Sequence, residues 1–451
     1  MNLDKFFKPK SIAVIGASRD QNKIGHVILK NLIDAGFKGK IFPVNPKADE
    51  IINLKCYGSV LDVKEDIDLA IISVPAEVAV QVVKECGIKD ITAIAMITAG
   101  FSEVGNEKAE KEILDLIKQY DIRLIGPNML GLLDLYSNLD TIFLPRLRLT
   151  RPHPGGISFI CQSGAVGSAT LDLAAYQGYG FSKFISYGNA LDLNECDFLE
   201  YLGNDPKTKV ICMYIEGIKD GKRFMKVAKK VSQKKPIIAI KGGTTEEGKQ
   251  AALSHTASLA GSFEIYKGAF KQTGIIYAQN LEELFDFARI LDKSIKPKGD
   301  KIQIITNGGG YGILCADNIS ENNLKLAVMS TETRKFLQKK TSPISIIKNP
   351  IDLAGDADTK RYELALESCV KDNNIDIILA VILYQTPLIT SDIVSVVSEL
   401  NSLKKKPIIV VSTGGDFTEL HKKNLEYRGI PCYTFPSNAV KSIKALCDYH
   451  L

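Results

Sequence analysis

The later part of the sequence is written twice. "ISFICQSGAVGSATLDLA", beginning at Ile157, is echoed by "IQIITNGGGYGILCADNI", beginning at Ile302; "GNALDL" returns as "NPIDLA", and "KKPIIAIKGG" as "KKPIIVVSTGG". Three anchors in one order require two similar units, and each opens with an apolar strand that runs straight into a glycine-containing turn and a helix. The copies differ where chemistry would differ. The strand ending "MYIEG" carries Glu216, whereas its rough counterpart "ILYQT" carries Gln385, and only the first copy is expected to have a histidine in the loop after "IIAIKGG".

The earlier part has the same alternation without the repeat. "SIAVIG", "KIFPVN", "DLAIISVP", "TAIAMITAG" and "IRLIGPN" are continuous apolar runs separated by helical patterns. Such runs build a parallel sheet covered on both faces. The expected fold class is therefore α/β, a Rossmann-like domain followed by two related α/β domains. The expected bounds are 1–145, 156–291 and 301–451. The Pro- and Arg-rich joint "LPRLRLTRPHPGG" and the segment "DKSIKPKGD" separate them, since neither can hold regular structure for long.

Composition narrows the class further. Lys plus Arg number 57 against 52 Asp plus Glu, without a basic block, which speaks against nucleic acid and mildly for small anionic ligands. The start "MNLDKFFKPKSIAVIG" does not read as a signal peptide, and the longest apolar stretches, such as "IDIILAVILY", have the length of buried strands. A cytoplasmic protein without membrane contact is expected. The nine cysteines are scattered with no C-x-x-C pair, so free buried thiols are expected, with neither a zinc site nor disulfides.

The first strand–helix turn, "IAVIGASRDQNKIG", places Gly16 after the strand and Gly25 at the helix start. Ser18 and Gln21 stand where a dinucleotide fingerprint wants glycine. The second strand ends in Asn45-Pro46-Lys47, without the acidic residue that NAD's ribose would want. A lysine there suits a phosphorylated ribose such as that of coenzyme A, whose diphosphate could sit near Ser18 and the helix start. Ser73-Val74-Pro75 and Thr98-Ala99-Gly100 end the third and fourth strands, where open α/β sheets hold ligands. Nucleotide binding or a bare scaffold both remain open at this point.

"CQSGAVGS" and "NGGGYG" each put glycines between strand and helix, which lets an anion approach helix N-termini, or serves tight turn geometry alone. If both turns bind an anion, two helix ends converge on one phosphate. His255 is bracketed by Gly242, Gly243, Gly248 and Gly261, a loop able to carry an imidazole some distance. Neutral imidazole is a competent nucleophile near pH 7. Glu216 could fix its tautomer. His26, His153, His421 and His450 read as structural.

Together these residues resemble the nucleoside-diphosphate-forming acyl-CoA synthetases, specifically the alpha subunit of the ADP-forming acetyl-CoA synthetases, related to succinyl-CoA synthetase. The resemblance rests on "IAVIGAS", "VNPK", "ISVP", "ITAGF", "IGPNMLG", "CQSGAVG", "GNALDL", "IEGIKD", "SHTASLAG", "NGGGYG" and "NPIDLAGDA", in that order. It implies that the two repeated domains are flavodoxin-like and that the reaction is acyl-CoA + ADP + phosphate ⇌ carboxylic acid + CoA + ATP. It implies His255 as the phosphorylated residue and Glu216 as the carboxylate steadying it. Gln162, Ser163 and Gly164, with Gly308, Gly309 and Gly310, would hold the phosphoryl group without a metal. Gly16, Ala17, Ser18, Lys23, Asn45, Lys47, Ser73, Val74, Pro75, Thr98 and Ala99 would hold coenzyme A. Tyr187, Asn189, Asn349 and Asp352 are expected near the acyl group, although both Asn-x-x-Asp-Leu segments read equally as domain-capping turns.

No P-loop occurs, and the three domains leave no stretch for the family's ATP-grasp module. The resemblance therefore implies a separate ATP-grasp beta subunit, a heterotetramer, and ADP or ATP with Mg held by that partner. The competing reading is an inactive CoA-binding regulator or scaffold of the same fold, which the pairing of His255 with Glu216 disfavours. An NAD-dependent oxidoreductase is disfavoured by the failed fingerprint and Lys47. Nothing in the sequence selects acetate over branched or aromatic acids.

Overall fold

The five apolar runs of the earlier part become one parallel sheet, in the order Lys40–Val44, Ser11–Ile15, Leu69–Ile72, Ala93–Met96 and Arg123–Ile125. Ser11–Ile15, Leu69–Ile72 and Ala93–Met96 are buried at every residue, which explains why they show no polar alternation. Strand order reverses between Ser11–Ile15 and Leu69–Ile72, and a ligand crevice belongs at the carboxyl ends of such a pair.

Two glycines make that crevice possible. Gly16 has φ +94°, and a Cβ on it would lie 2.6 Å from the Ser73 carbonyl oxygen; a Cβ on Gly25 would lie 1.9 Å from the Gly16 carbonyl oxygen. Only bare backbone lets the helix Ile24–Asp34 start directly beneath the strand.

The second sheet runs Ile276–Tyr277, Ile237–Lys241, Val210–Ile215, His153–Cys161, Gly180–Ser186, Leu132–Asp134 and Leu139–Asp140. The first five are parallel and the last two antiparallel. Those last two precede the expected boundary at 145, so the stretch assigned to the first domain also supplies the edge of the second sheet. The joint after them is irregular only as far as Pro152, because the strand His153–Cys161 begins inside it, and it is tied down: Arg146 and Arg151 both pair with the fully buried Asp140 at 3.1 and 2.9 Å. One hydrophobic core contains Ile12 and Val14 of the first sheet together with Ile160, Ile185 and Met213 of the second.

The computed structural model describes residues 3–248, 250 and 262–451. Met1–Ala278, just described, is one compact unit, and Gln279–Leu451 is the other. In the second unit Ile351–Asp352, Lys301–Thr306, Ile377–Val381, Ile408–Val411 and Cys432–Tyr433 are parallel neighbours. With the short strands Lys325–Leu326 and Ile346–Ile347 of the second unit left out, each repeat has the order 2-1-3-4-5 numbered from its own first strand, so the sequence echo is an echo of topology. Helix Leu281–Lys293 belongs to this second unit, before the expected end at 291. Asn438 donates to Asp286 at 2.7 Å and Lys441 pairs with Glu283 at 2.7 Å, fastening that helix to Pro436–His450. The three bounds stand as a proposed division by sequence.

All nine cysteines are free and buried. Among the described residues no helix is long and apolar enough to cross a membrane, and no cluster of His, Cys, Asp or Glu is arranged to hold a metal ion.

Candidate active site

A cavity of about 1720 Å³ opens within the first unit, at the carboxyl ends of both its sheets. Ordinary small-molecule pockets span roughly 300–1,000 Å³, so this one suits an elongated ligand. One end is formed by Gly16, Ala17, Ser18 and Lys23 of the first turn and by Asn45 and Lys47 after the second strand. Ser73, Val74 and Pro75, then Thr98 and Ala99, continue the wall. All eleven residues expected to hold coenzyme A therefore meet on one surface.

These loops are rigidly pinned. The Asn45 amide donates to the Ala17 carbonyl at 2.6 Å and its oxygen accepts the Lys47 N–H at 2.9 Å, so one side chain sets both the turn and the lysine. The Thr98 hydroxyl donates to the Val74 carbonyl at 2.8 Å. His26 lies with its Nδ1 at 2.9 Å from the Ser18 carbonyl, and His421 in the other unit bonds Phe417 and Ser391, both in the structural role expected.

The other end carries Gln162, Ser163 and Gly164 with Glu216 and Lys219. Ser163 caps the helix Gly164–Gln177, whose first turn faces the cavity through Gly164, Ala165 and Ser168. Such a helix start attracts anions. The Gln162 side-chain oxygen accepts the N–H groups of Glu216 and Gly217 at 2.7 and 3.1 Å, locking the glycine turn to the end of the neighbouring strand. Tyr214 is hydrogen-bonded to Glu216; burial first, then that carboxylate, push its hydroxyl up to about 12. Ile215 is the register partner of Lys241, and the Gly242 N–H donates to the Ile215 carbonyl at 2.9 Å. The chain thus leaves the sheet at Gly242, next to the residue that precedes Glu216. A Cβ on Gly242 would lie 2.6 Å from the Tyr214 hydroxyl, which fixes that glycine. His255 and Gly261 lie outside the described residues.

The four residues expected at the acyl group fare differently. Asn189 lines the cavity, but its amide donates to Glu103 at 2.5 Å and its oxygen accepts from Asn128 at 3.2 Å. Tyr187 is fully buried against Phe198 and does not reach the cavity. In the second unit the Asn349 amide is spent on the carbonyls of Ile302 and Ala327, at 2.8 and 3.0 Å, and its oxygen on the Ile304 N–H. Asp192 of "GNALDL" pairs with Arg123 at 2.8 Å and accepts the Leu124 N–H. Both Asn-x-x-Asp-Leu segments thus work as ties between loops and strands.

The second glycine turn is set by packing at two of its three positions. A Cβ on Gly308 would lie 2.5 Å from Leu383, and one on Gly309 would lie 2.7 Å from an Asp352 carboxylate oxygen, whereas Gly310 faces open space. Asp352 therefore sits at the start of the helix Gly309–Glu321, where the helix dipole favours a negative group. Asn307 mirrors Gln162: its oxygen accepts the Leu383 N–H at 2.9 Å.

In the first unit Glu195 begins the helix Glu195–Asn204, and burial pushes its carboxyl from 4.5 to about 7, with Asp197 adding to the rise against its own N–H, Lys219 and Arg223. The folded protein then binds a proton that the unfolded chain has released, so stability falls as pH rises from about 4.5 to about 7. Glu195→Gln should flatten that slope and raise stability at pH 8 by on the order of 3 kcal/mol. Urea titrations across pH 4.5–8 measure it, and an unchanged slope would contradict the assignment.

Sequence reasoning missed Glu103, Asn128 and Lys219 on this wall, which Gly188, expected beside Tyr187 and Asn189, also lines. Gly188 had a legible reason: it has φ +52°, and a Cβ there would lie 2.2 Å from two backbone carbonyl oxygens.

Comparison with known proteins identifies the domains and the family. Residues 10–134 match a CoA binding domain, 154–291 a succinyl-CoA ligase like flavodoxin domain, and 302–447 a ligase-CoA domain. The chain is 46% identical to an ADP-forming acetate–CoA ligase of Methanocaldococcus jannaschii, over 98% of this chain and 62% of that protein. It is 40% identical to the alpha subunit of ADP-forming acetate–CoA ligase II of Pyrococcus furiosus, over 98% and 97% of the two chains. Acetyl-coenzyme A synthetase 1 of Ca. Korarchaeum cryptofilum, solved in complex with phosphate and ADP, superposes with a TM-score of 0.94 at 37% identity, covering 99% and 97%.

Proposed function

The chain belongs to the ADP-forming acetate–CoA ligases, and from that membership we propose that it converts acyl-CoA, ADP and phosphate to a carboxylic acid, CoA and ATP as the alpha component of such an enzyme. The observation that carries the reading is the single cavity on which the eleven expected CoA-binding residues meet Gln162, Ser163, Gly164 and Glu216. CoA fits its chemistry: Lys23 and Lys47 suit the phosphates at one end, and the extended wall Val74–Pro75–Thr98–Ala99 suits an elongated arm reaching toward Gln162.

At that inner end a phosphate oxygen attacks the thioester carbonyl and the C–S bond breaks, giving acyl phosphate and a thiolate. An imidazole nitrogen of His255 then attacks phosphorus, and the carboxylate leaves. A terminal oxygen of ADP attacks the same phosphorus and frees the imidazole. The helix start at Gly164 stabilises the anionic groups, and Glu216 orients the ring. In the second unit the helix start at Gly309 offers N–H groups of the same kind, already beside Asp352. ADP or ATP with Mg would be held by an ATP-grasp partner, in a heterotetramer. The match to proteins named as alpha subunits supports a separate partner, although the Methanocaldococcus relative is the longer protein. The acyl group remains unassigned among carboxylic acids.

Calorimetric titration of the purified chain tests the cavity. CoA should bind without any partner, and Lys47→Gln should weaken CoA by about tenfold, as for one lost charge-assisted contact. Dephospho-CoA, which lacks the ribose phosphate, should bind both proteins nearly equally. No CoA binding, or equal weakening of both ligands, would contradict the reading.

A further inference from the structure

Glu103 stands on the short turn Ser102–Val104 that follows Thr98–Gly100, facing the second sheet across the cavity wall. One of its carboxylate oxygens accepts the Gly100 N–H at 2.5 Å and the Phe101 N–H at 3.2 Å. The other accepts the Asn189 amide at 2.5 Å. Asn189 in turn accepts the Asn128 amide at 3.2 Å, and its main-chain carbonyl takes the Lys219 ammonium at 3.0 Å, three residues beyond Glu216. Four segments of the cavity wall therefore meet on one pair of side chains. Burial would raise the Glu103 carboxyl, but the Gly100 N–H, the Asn189 amide and the Phe101 N–H together hold it below the usual range, as an anion.

This pair is not what holds the two sheets together. The shared hydrophobic core does that, helped by the Arg123–Asp192 bridge at 2.8 Å and by Leu191 and Leu193 donating to the carbonyls of Gly126 and Leu124 at 3.0 and 3.1 Å. Against a junction so fastened, short hydrogen bonds around one carboxylate add orientation of loops more than cohesion. We infer that Glu103 and Asn189 form a latch that sets the cofactor-lining loop Thr98–Gly100 against the loop carrying Glu216, and that both are positioning residues for acyl transfer to phosphate. The transfer step rests on the function proposed above; the latch itself does not.

A donor–acceptor exchange tests it. Glu103→Gln turns an amide toward the Asn189 amide, donor against donor, and Asn189→Asp turns carboxylate against carboxylate. The double exchange restores the match: the new amide keeps its oxygen on Gly100 and Phe101 and donates to the new carboxylate, whose second oxygen keeps Asn128. Phosphorolysis of acyl-CoA by the purified chain, with acyl phosphate trapped by hydroxylamine, gives kcat and KM. Hydrogen exchange of peptides spanning 97–106 gives loop order whether or not the chain turns over. Each single change should lower kcat at least tenfold at near-constant KM for phosphate and speed exchange at least tenfold, and the double should return both to within about threefold of the parent. Losses that add in the double overturn the latch. Coupled exchange with unchanged kcat overturns the positioning role. A parent chain without phosphorolysis counts against the proposed function, and exchange alone then decides the latch.

Discussion

Lys183→Ala should lower the unfolding free energy by about 3–5 kcal/mol, the usual result of stripping one partner from a buried ion pair. Lys183 lies in the strand Gly180–Ser186 and is 1% exposed; its ammonium is 2.8 Å from Asp205 and 3.2 Å from Asp134, both equally enclosed. Asp134 is its register partner on the antiparallel strand Leu132–Asp134, and Asp205 is also held by the Thr208 hydroxyl at 2.6 Å. One cation is thus shared by two carboxylates that are almost wholly shut off from water. Without it, one or both must take up a proton or draw in solvent, at a cost well above that of deleting a methylene from a core. Adding Asp134→Asn and Asp205→Asn to the same protein should recover most of the loss, because the stranded charges go with the cation. Urea denaturation of the single and triple variants measures both changes, and a single variant within about 1 kcal/mol of the parent would contradict the assignment of a paired, desolvated triad.

That triad also marks where the sequence stops being legible. A lysine in "GFSKFIS" reads as one polar position on a strand, and nothing local tells that its partners lie on the residues numbered 134 and 205. Strands such as Ser11–Ile15 and Ile377–Val381 were legible because burial on both faces leaves an unbroken apolar run. Leu132–Asp134 and Leu139–Asp140 were not, since two or three residues carry no period; they fell inside the first expected domain and joined the second sheet.

The candidate site divides along the same line. Gly16, Ser73 and Thr98 end strands of an open sheet, a position that topology alone makes a ligand wall. Asn189 was expected near the acyl group because the family resemblance puts that pocket by its segment. Its amide is instead consumed by Glu103, 86 positions away, a pairing that only the folded chain reveals. Tyr187 was expected there with it, yet its ring is fully buried and packs on Phe198 in the core.

The second large effect concerns His255, which follows the strand Ile237–Lys241 that pairs with the strand ending at Glu216. A phosphorus–nitrogen bond is readily lost to water, so its carrier needs oriented donors and an enclosed site at both ends of its travel. The anionic pole at Glu216 and the helix start at Gly164 meet the first need within one cavity. His255→Ala should therefore abolish phosphoryl transfer altogether, since alanine has no nucleophilic side chain to accept the group. Glu216→Gln should reduce it by roughly tenfold to ten-thousandfold, as at other sites where a partner orients a reacting imidazole. CoA binding should survive both changes, because neither residue is among those proposed to hold CoA.

The most direct measurement is label from radioactive phosphate, followed into protein during turnover of acyl-CoA with the matching ATP-grasp partner and ADP. The parent chain should carry acid-labile label on His255, and the His255→Ala chain should carry none while still binding CoA. Label retained at full level in the His255→Ala protein would place the phosphoryl group on another residue and contradict the account.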